Sequence, residues 1–270
     1  MTASDKQFTG SIPELYDTYL VPMIFDQYAD DLAARVASMK PQAVLETAAG
    51  SGVVPRALAP LLGADSLYVV SDLNQAMLDR AEQMQGADNR IEWRQADALK
   101  LPFGDASFDA VVCQYGVMFY PDKVQGFSQA RRVLKPGGRY IFNAWDHIGV
   151  NEFADVVTEA AAGVFPDDPP RFLARTPHGY HDVEVIKRDL QAAGFSDISI
   201  ETIDKISPAP SPRHAAIAYC EGTPLRNEIE SRDASLLSHV TNLATEAIAK
   251  RYGNGPVEAK IQAHVVTASG

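Results

Sequence analysis

Apolar residues recur along this chain with two alternating periods. From Ile12 to Met39 the spacing is helical, and Phe25, Tyr28, Leu32, Val36 and Met39 fall on one stripe. Pro22 stands near the start of the second helical piece, where a missing N–H costs little, and Lys40-Pro41 ends it. A short apolar run, Ala43 to Glu46, leads into a loop of small residues, Thr47 to Gly52, and helical spacing resumes from Val53 to Leu62. A second strand, Leu67 to Ser71, closes on Asp72. Asn74 can cap a helix from Gln75 to Gln85 with Met77, Leu78, Ala81 and Met84 on its stripe. Strands are expected at Ile91 to Arg94 and at Phe108 to Gln114, the latter almost continuously apolar, as for a strand covered on both faces. A helix from Asp122 to Leu134 is stopped by Lys135-Pro136-Gly137-Gly138, and a fifth strand runs from Arg139 to Ala144. Strands and helices alternating with short connections predict a parallel sheet with helices on both faces.

Beyond Trp145 the rhythm changes. Asn151 to Val164 is helical, whereas Phe165 to Tyr180 is rich in Pro, Asp and Arg without a clear period and reads as a loop or lid. His181 to Ala193 is a helix closed by Gly194, Ile198 to Ile203 a sixth strand, and Ser207 to Pro212 a proline-rich turn. Helices are expected near Pro212 to Tyr219 and Ser231 to Lys250, and a last strand at Ile261 to Thr267. The chain then divides as a single domain over 1–270: an N-terminal helical cap over 1–40, a ligand-binding core over 41–146, and a lid, substrate-side helices and last strands over 147–270.

The 270 residues suffice for one large α/β domain. No apolar run reaches the ~18 residues of a membrane-spanning helix, and Met1 to Gly10 lacks the layout of a signal peptide. A cytoplasmic protein without membrane insertion is expected. Cys113 and Cys220 are far apart, which suits two free thiols, and neither the cysteines nor the six histidines show metal-ligand spacing. The formal charge of −11 repels a phosphate backbone, and no Lys/Arg cluster reverses it locally, so nucleic acid is not expected as a partner. Small molecules are favoured. The oligomeric state stays open, a homodimer included.

The chemistry gathers at strand ends. Glu46-Thr47-Ala48-Ala49-Gly50-Ser51-Gly52 follows a strand and opens a helix, and its small residues allow a tight turn with a ligand against the backbone. Asp72, at the end of the second strand, can accept both hydroxyls of a ribose. Dinucleotide enzymes share both features but continue to a third glycine, because a pyrophosphate must sit on the helix N-terminus; here that position is Pro55. A ligand without pyrophosphate fits better.

Three further blocks stand in order: Gln95-Ala96-Asp97-Ala98-Leu99, Leu101-Pro102-Phe103-Gly104-Asp105-Ala106-Ser107-Phe108-Asp109, and Leu134-Lys135-Pro136-Gly137-Gly138. From Val44 to about Ala144 the chain resembles the class I S-adenosylmethionine-dependent methyltransferases, in particular the small-molecule group that includes the ubiquinone and menaquinone biosynthesis C-methyltransferases. The resemblance implies an α/β Rossmann-like three-layer sandwich: a seven-stranded, mostly parallel sheet ending in an antiparallel hairpin. It implies S-adenosyl-L-methionine as cofactor. Glu46 would hold the loop and the methionine amino group. Ala48, Gly50 and Gly52 would form the backbone cradle. Asp72 would bind the ribose, with Leu73 and Met77 against the adenine. Asp97 and the Ala98 N–H would read the adenine edge, and Gln114 would lie near the methionine. Ala48, where many relatives have glycine, and Glu46, where aspartate is commoner, are mild departures.

The activity implied is methyl transfer to O, N or C of a small-molecule acceptor. Tyr16, Phe25 and Tyr28 on the N-terminal helices, Tyr115 and Phe119 after the fourth strand, and Trp145 at the end of the fifth are candidates for the acceptor pocket, although amphipathic packing alone would also explain the first group. His147 is the best-placed titratable group for a base, with Tyr115 behind it; His178 and His181 flank Tyr180 in the lid. The alternatives are a non-catalytic S-adenosylmethionine-binding regulator or partner protein and, disfavoured by Pro55 and the Asp97-Ala98 block, a nicotinamide-dependent dehydrogenase.

Overall fold

The computed structural model describes residues 12–270. Seven strands form one sheet: β1 Ala43–Glu46, β2 Leu67–Asp72, β3 Ile91–Gln95, β4 Phe108–Gln114, β5 Leu134–Trp145, β6 Asp197–Ala209 and β7 Val257–Ser269. Their order is β3-β2-β1-β4-β5-β7-β6. The first five pair in parallel. The last two run against each other: Asp197 meets Ser269, Thr202 meets His264 and Asp204 meets Gln262, so one number rises as the other falls. This is the α/β Rossmann-like sandwich with a terminal antiparallel hairpin that the resemblance implies.

The chain forms two compact units. One holds Asp26–Ala144, Tyr180–Ile203 and Ala263–Gly270; the other holds residues 12–25, Trp145–Gly179 and Asp204–Gln262. In the first, every residue of β1 is buried, as parallel strands covered on both faces require. The helix Asp26–Ser38 belongs to this unit, packs on the helix Val53–Leu58, and buries Tyr28, Leu32 and Val36 completely. The helix Lys123–Val133 packs on Val183–Ala192, and Phe127 stacks on Phe142 with centroids 5.4 Å apart. Local chemistry starts these helices. The side chains of Asn74, Asp122 and Asp182 accept N–H groups of Ala76, Gln125 and Glu184 at 2.9–3.0 Å. The second unit is helical. Glu152–Val164, Pro212–Cys220 and Leu237–Tyr252 pack on one another, and the broken helical segment Ile12–Ile24 lies on Pro212–Cys220.

Five expectations need correction. Leu134 to Gly138 is not a plain stop: Phe108 pairs with Leu134 and Ala110 with Arg139, so the intervening residues bulge out of β5, with Gly137 at φ +79°. Asp109 holds this bulge: Oδ1 accepts from Lys135 Nζ at 2.9 Å, and Oδ2 accepts the N–H groups of Gln42 and Ala43. The stretch read as a proline-rich turn is partly strand, since β6 continues to Ala209; it is the last strand of the sheet, and an edge tolerates Pro208. The loop Phe165 to Tyr180 contains a helix, Phe172–Arg175. The helix expected from Ser231 begins at Leu225 and breaks at Ala234–Leu236, where Asp233 Oδ1 accepts both the N–H and the hydroxyl of Ser235. Met84 is exposed rather than part of the buried stripe.

Candidate active site

The sheet order reverses between β1 and β4, and ligands of open α/β sheets sit beyond the strand ends at such a point. The loop after β1 is held open there by its own backbone. Ala48, Gly50 and Gly52 have φ of +54°, +57° and +82°, the left-handed region. A side chain on Gly52 would meet Ala81 Cβ at 2.8 Å, so the helix Gln75–Gln85 lies directly on the loop. Thr47 N–H donates to Val112 O at 2.9 Å and Ala49 N–H to Ser71 O at 3.0 Å, tying the loop to β4 and β2.

Asp72 is the anchor of this arrangement. Its Oδ2 accepts from Gly50 N at 2.8 Å and its Oδ1 from Asn74 N at 2.7 Å. Burial raises its pKa against the pull of these N–H groups. Its carbonyl accepts from Ala96 N at 3.0 Å, which brings the Asp97-Ala98 turn alongside. Asp97 is exposed, with Oδ1 accepting from Leu99 N at 2.9 Å; Ala98 is half-buried. Leu73 presents its side chain to solvent, 52% exposed, while Met77 is buried with its Cε 3.9 Å from where a Gly50 Cβ would lie.

Glu46 is wholly buried. The Tyr68 hydroxyl donates to its Oε2, and Oε1 has no hydrogen-bond partner among the described residues. Burial is the main cause that pushes its pKa up to about 8; nearby Asp72 adds to the rise, while Tyr68 and Arg56 oppose it. Strand pairing explains Tyr68: Glu46 of β1 is opposite Val70 of β2 and Val44 is opposite Tyr68, so Tyr68 is the diagonal neighbour on the same face. Only the register reveals that partnership.

Gln114 ends β4 half-buried, in register with Asn143 of β5. Tyr115 follows at φ +53°, a left-handed conformation costly for an aromatic residue, and its ring meets Tyr28 edge-on at 5.7 Å. The Tyr28 hydroxyl donates to Ile203 O at 2.8 Å. Phe119 is half-buried in the short helix Val117–Phe119. In the other unit, Tyr16, Phe25, Trp145 and His178 form a run of rings with successive centroids 5.2, 6.1 and 5.9 Å apart. His178, which the sequence placed in the lid, joins this run because its Nδ1 donates to Asp146 O at 2.8 Å. His147 is exposed and its Nδ1 accepts from Gly149 N at 3.1 Å.

The strand ends fit a nucleoside joined to an amino acid. Glu46 Oε1 is an unpartnered buried acceptor, Leu73 is an exposed apolar surface beside the Asp72 carboxylate, and the left-handed glycines leave bare backbone between them. The chain's likeness to known proteins agrees. Residues 45–142 match the family described as a methyltransferase domain. The demethylmenaquinone methyltransferase of Clavibacter sepedonicus is 28% identical over 196 residues, covering 67% of this chain and 79% of that protein. The ubiquinone/menaquinone biosynthesis C-methyltransferase UbiE of Francisella philomiragia is 27% identical over 182 residues, covering 63% and 73%. Among solved structures, phosphoethanolamine N-methyltransferase 2 of Haemonchus contortus, in complex with S-adenosyl-L-methionine, shares the fold with a TM-score of 0.60 at 18% identity, covering 100% of this chain and 60% of that one. The cyclase SpnF shares it with a TM-score of 0.58 at 19% identity, covering 90% and 81%. Residues 45–142 thus form a domain of the S-adenosylmethionine-dependent methyltransferase kind.

Proposed function

We propose that this enzyme methylates a small acceptor carrying a flat, largely apolar ring. The observation that carries this reading is the likeness to two methyltransferases named for quinones; the run Tyr16, Phe25, Trp145 and His178 adds aromatic surroundings, with Phe25, Trp145 and His178 buried. The names of the two relatives make the ring of a reduced quinone the first acceptor to test, with carbon as the acceptor atom.

When bound, the cofactor supplies a methyl group already activated on a sulfonium. The chain's own work is alignment, because an attacking atom held in line at near-contact distance needs little else. In this reading the bare backbone of Ala48, Gly50 and Gly52 cradles the methionine portion, with Glu46 and Gln114 beside it. Asp72 takes the ribose hydroxyls. Oδ2 accepts from Gly50 N and Oδ1 from Asn74 N, and a carboxylate has further lone pairs for them. Leu73 and Met77 flank the adenine, and Asp97 with the Ala98 N–H reads its edge. A proton acceptor is needed only if the acceptor atom keeps its proton into the transition state. The His178 ring donates through Nδ1 to a carbonyl, so its neutral form carries its lone pair on Nε2.

The test is incubation with labelled donor and a reduced demethylmenaquinone, with a metabolite extract in parallel. Label on a ring carbon of the quinol supports the proposal. Label only in a different, non-aromatic metabolite overturns the ring class. A second reading is a protein that binds the cofactor without methyl transfer. It predicts micromolar binding of S-adenosylhomocysteine with no labelled product in any fraction.

A further inference from the structure

A carboxylate buried without a cationic hydrogen-bond partner is costly, and the usual escape is to keep the proton. Glu46 is in this position. It is 0% exposed, one oxygen accepts from the Tyr68 hydroxyl, and the other has no partner among the described residues. The charged and titratable groups that act on it are Asp72 and Tyr68 on β2, Arg56 on the helix Val53–Leu58, and Cys113 on β4. Asp72 is a second acid. The Arg56 Nη1 donates to Ser51 O at 2.8 Å instead of to Glu46. Cys113 is itself buried and its thiol is pushed up by burial. No direct cationic bond offsets the burial of Glu46.

We propose that Glu46 holds a proton in the ligand-free protein and releases it to solvent when a ligand bearing the cofactor's ammonium is seated beyond β1, so that cofactor binding is coupled to proton release. The coupling rests on the cofactor assignment above. The balance is one O–H bond of the carboxylic acid broken, the proton passing to buffer and the electron pair staying on the carboxylate, which then faces a cation. The Tyr68 hydroxyl keeps its bond to the acid in both states, favouring the ionised one. With the acid titrating at about 8, binding tightens by about tenfold per pH unit below that point and levels off above it.

Calorimetry of S-adenosylhomocysteine binding to the full chain, in buffers with different ionisation enthalpies, counts the protons. About one proton leaves per site at pH 7, and the number falls towards zero above pH 9. Glu46→Gln keeps the shape and the Tyr68 bond but has no proton to release, so it binds with the same heat in every buffer. Tyr68→Phe removes the bond that favours ionisation, so its release persists to higher pH than in the native chain. A native chain that releases no proton overturns the proposal, as does equal release by folded Glu46→Gln. Absence of binding in every buffer by folded native protein instead overturns the cofactor assignment, and the coupling falls with it.

Discussion

A Cβ added to Gly116 would lie 2.4 Å from the Cβ of Ala48 and 2.7 Å from the Cys113 sulfur. The loop after β4 and the loop after β1 therefore close on each other at the point where the sheet order reverses. Gly116 has φ −91°, which any residue adopts, so space rather than backbone freedom demands glycine here. Gly116→Ala is expected to cost about 1–3 kcal/mol by overpacking and to weaken S-adenosylhomocysteine binding at least about tenfold by displacing the Ala48 loop. Ala48→Gly relieves both the clash and a left-handed alanine, and it should restore part of the loss in the double variant. Chemical denaturation and calorimetry on the four members of the cycle decide it; strict additivity would mean that the two loops are not coupled.

Asp72 supports the loop as well as any ribose. Asp72→Ala leaves the N–H groups of Gly50 and Asn74 without their acceptor and should lower stability by about 1–3 kcal/mol. Asp72→Asn keeps one acceptor oxygen but sets its NH2 against the other N–H, so part of that stability loss remains, and it should bind S-adenosylhomocysteine at least about tenfold more weakly. Unchanged affinity in folded Asp72→Asn would remove Asp72 from the ribose site.

Glu46 also links stability to pH. Its folded pKa is raised from 4.5 to about 8, so the stability associated with the neutral acid is complete below about 4.5 and is lost as pH rises towards 8. Glu46→Gln should match the native ligand-free protein near pH 5 and exceed it near pH 8.5, by up to about 4 kcal/mol. Denaturant titrations at the two values check the sign; a larger advantage at pH 5 would contradict it.

Asn143 is wholly buried on β5, and neither its Oδ1 nor its Nδ2 has a hydrogen-bond partner among the described residues. Such an amide opposes folding, so Asn143→Val should raise stability by about 1 kcal/mol, measured as a higher denaturation midpoint at unchanged slope. A fall instead would reveal a partner for the amide, such as a buried water.

Much of the first 145 residues was legible in order and type because their signals are local. Apolar runs of four to seven residues, glycines at turns, and capping side chains such as Asn74 and Asp122 act on neighbours a few positions away. Glu46, Gly50, Asp72 and Asp97 stand at strand ends, and alternating strands and helices dictate that those ends share one edge. Other features needed groups far apart in sequence. The helix Phe172–Arg175 exists where Glu228 Oε2 accepts the N–H groups of Arg171 and Phe172 and Oε1 pairs with Arg175, a cap reaching back more than fifty positions. Tyr68 meets Glu46 only through strand register, Gly116 is constrained only by the approach of Ala48, and His178 joins Trp145 only because Asp146 offers its carbonyl. The sequence by itself determined the strand-and-helix rhythm and the acids and glycines at the strand ends, since these follow from short-range backbone preferences and apolar periodicity. Tertiary structure alone decided which buried groups face one another, because burial, register and long-range hydrogen bonds come into being only when the chain closes on itself.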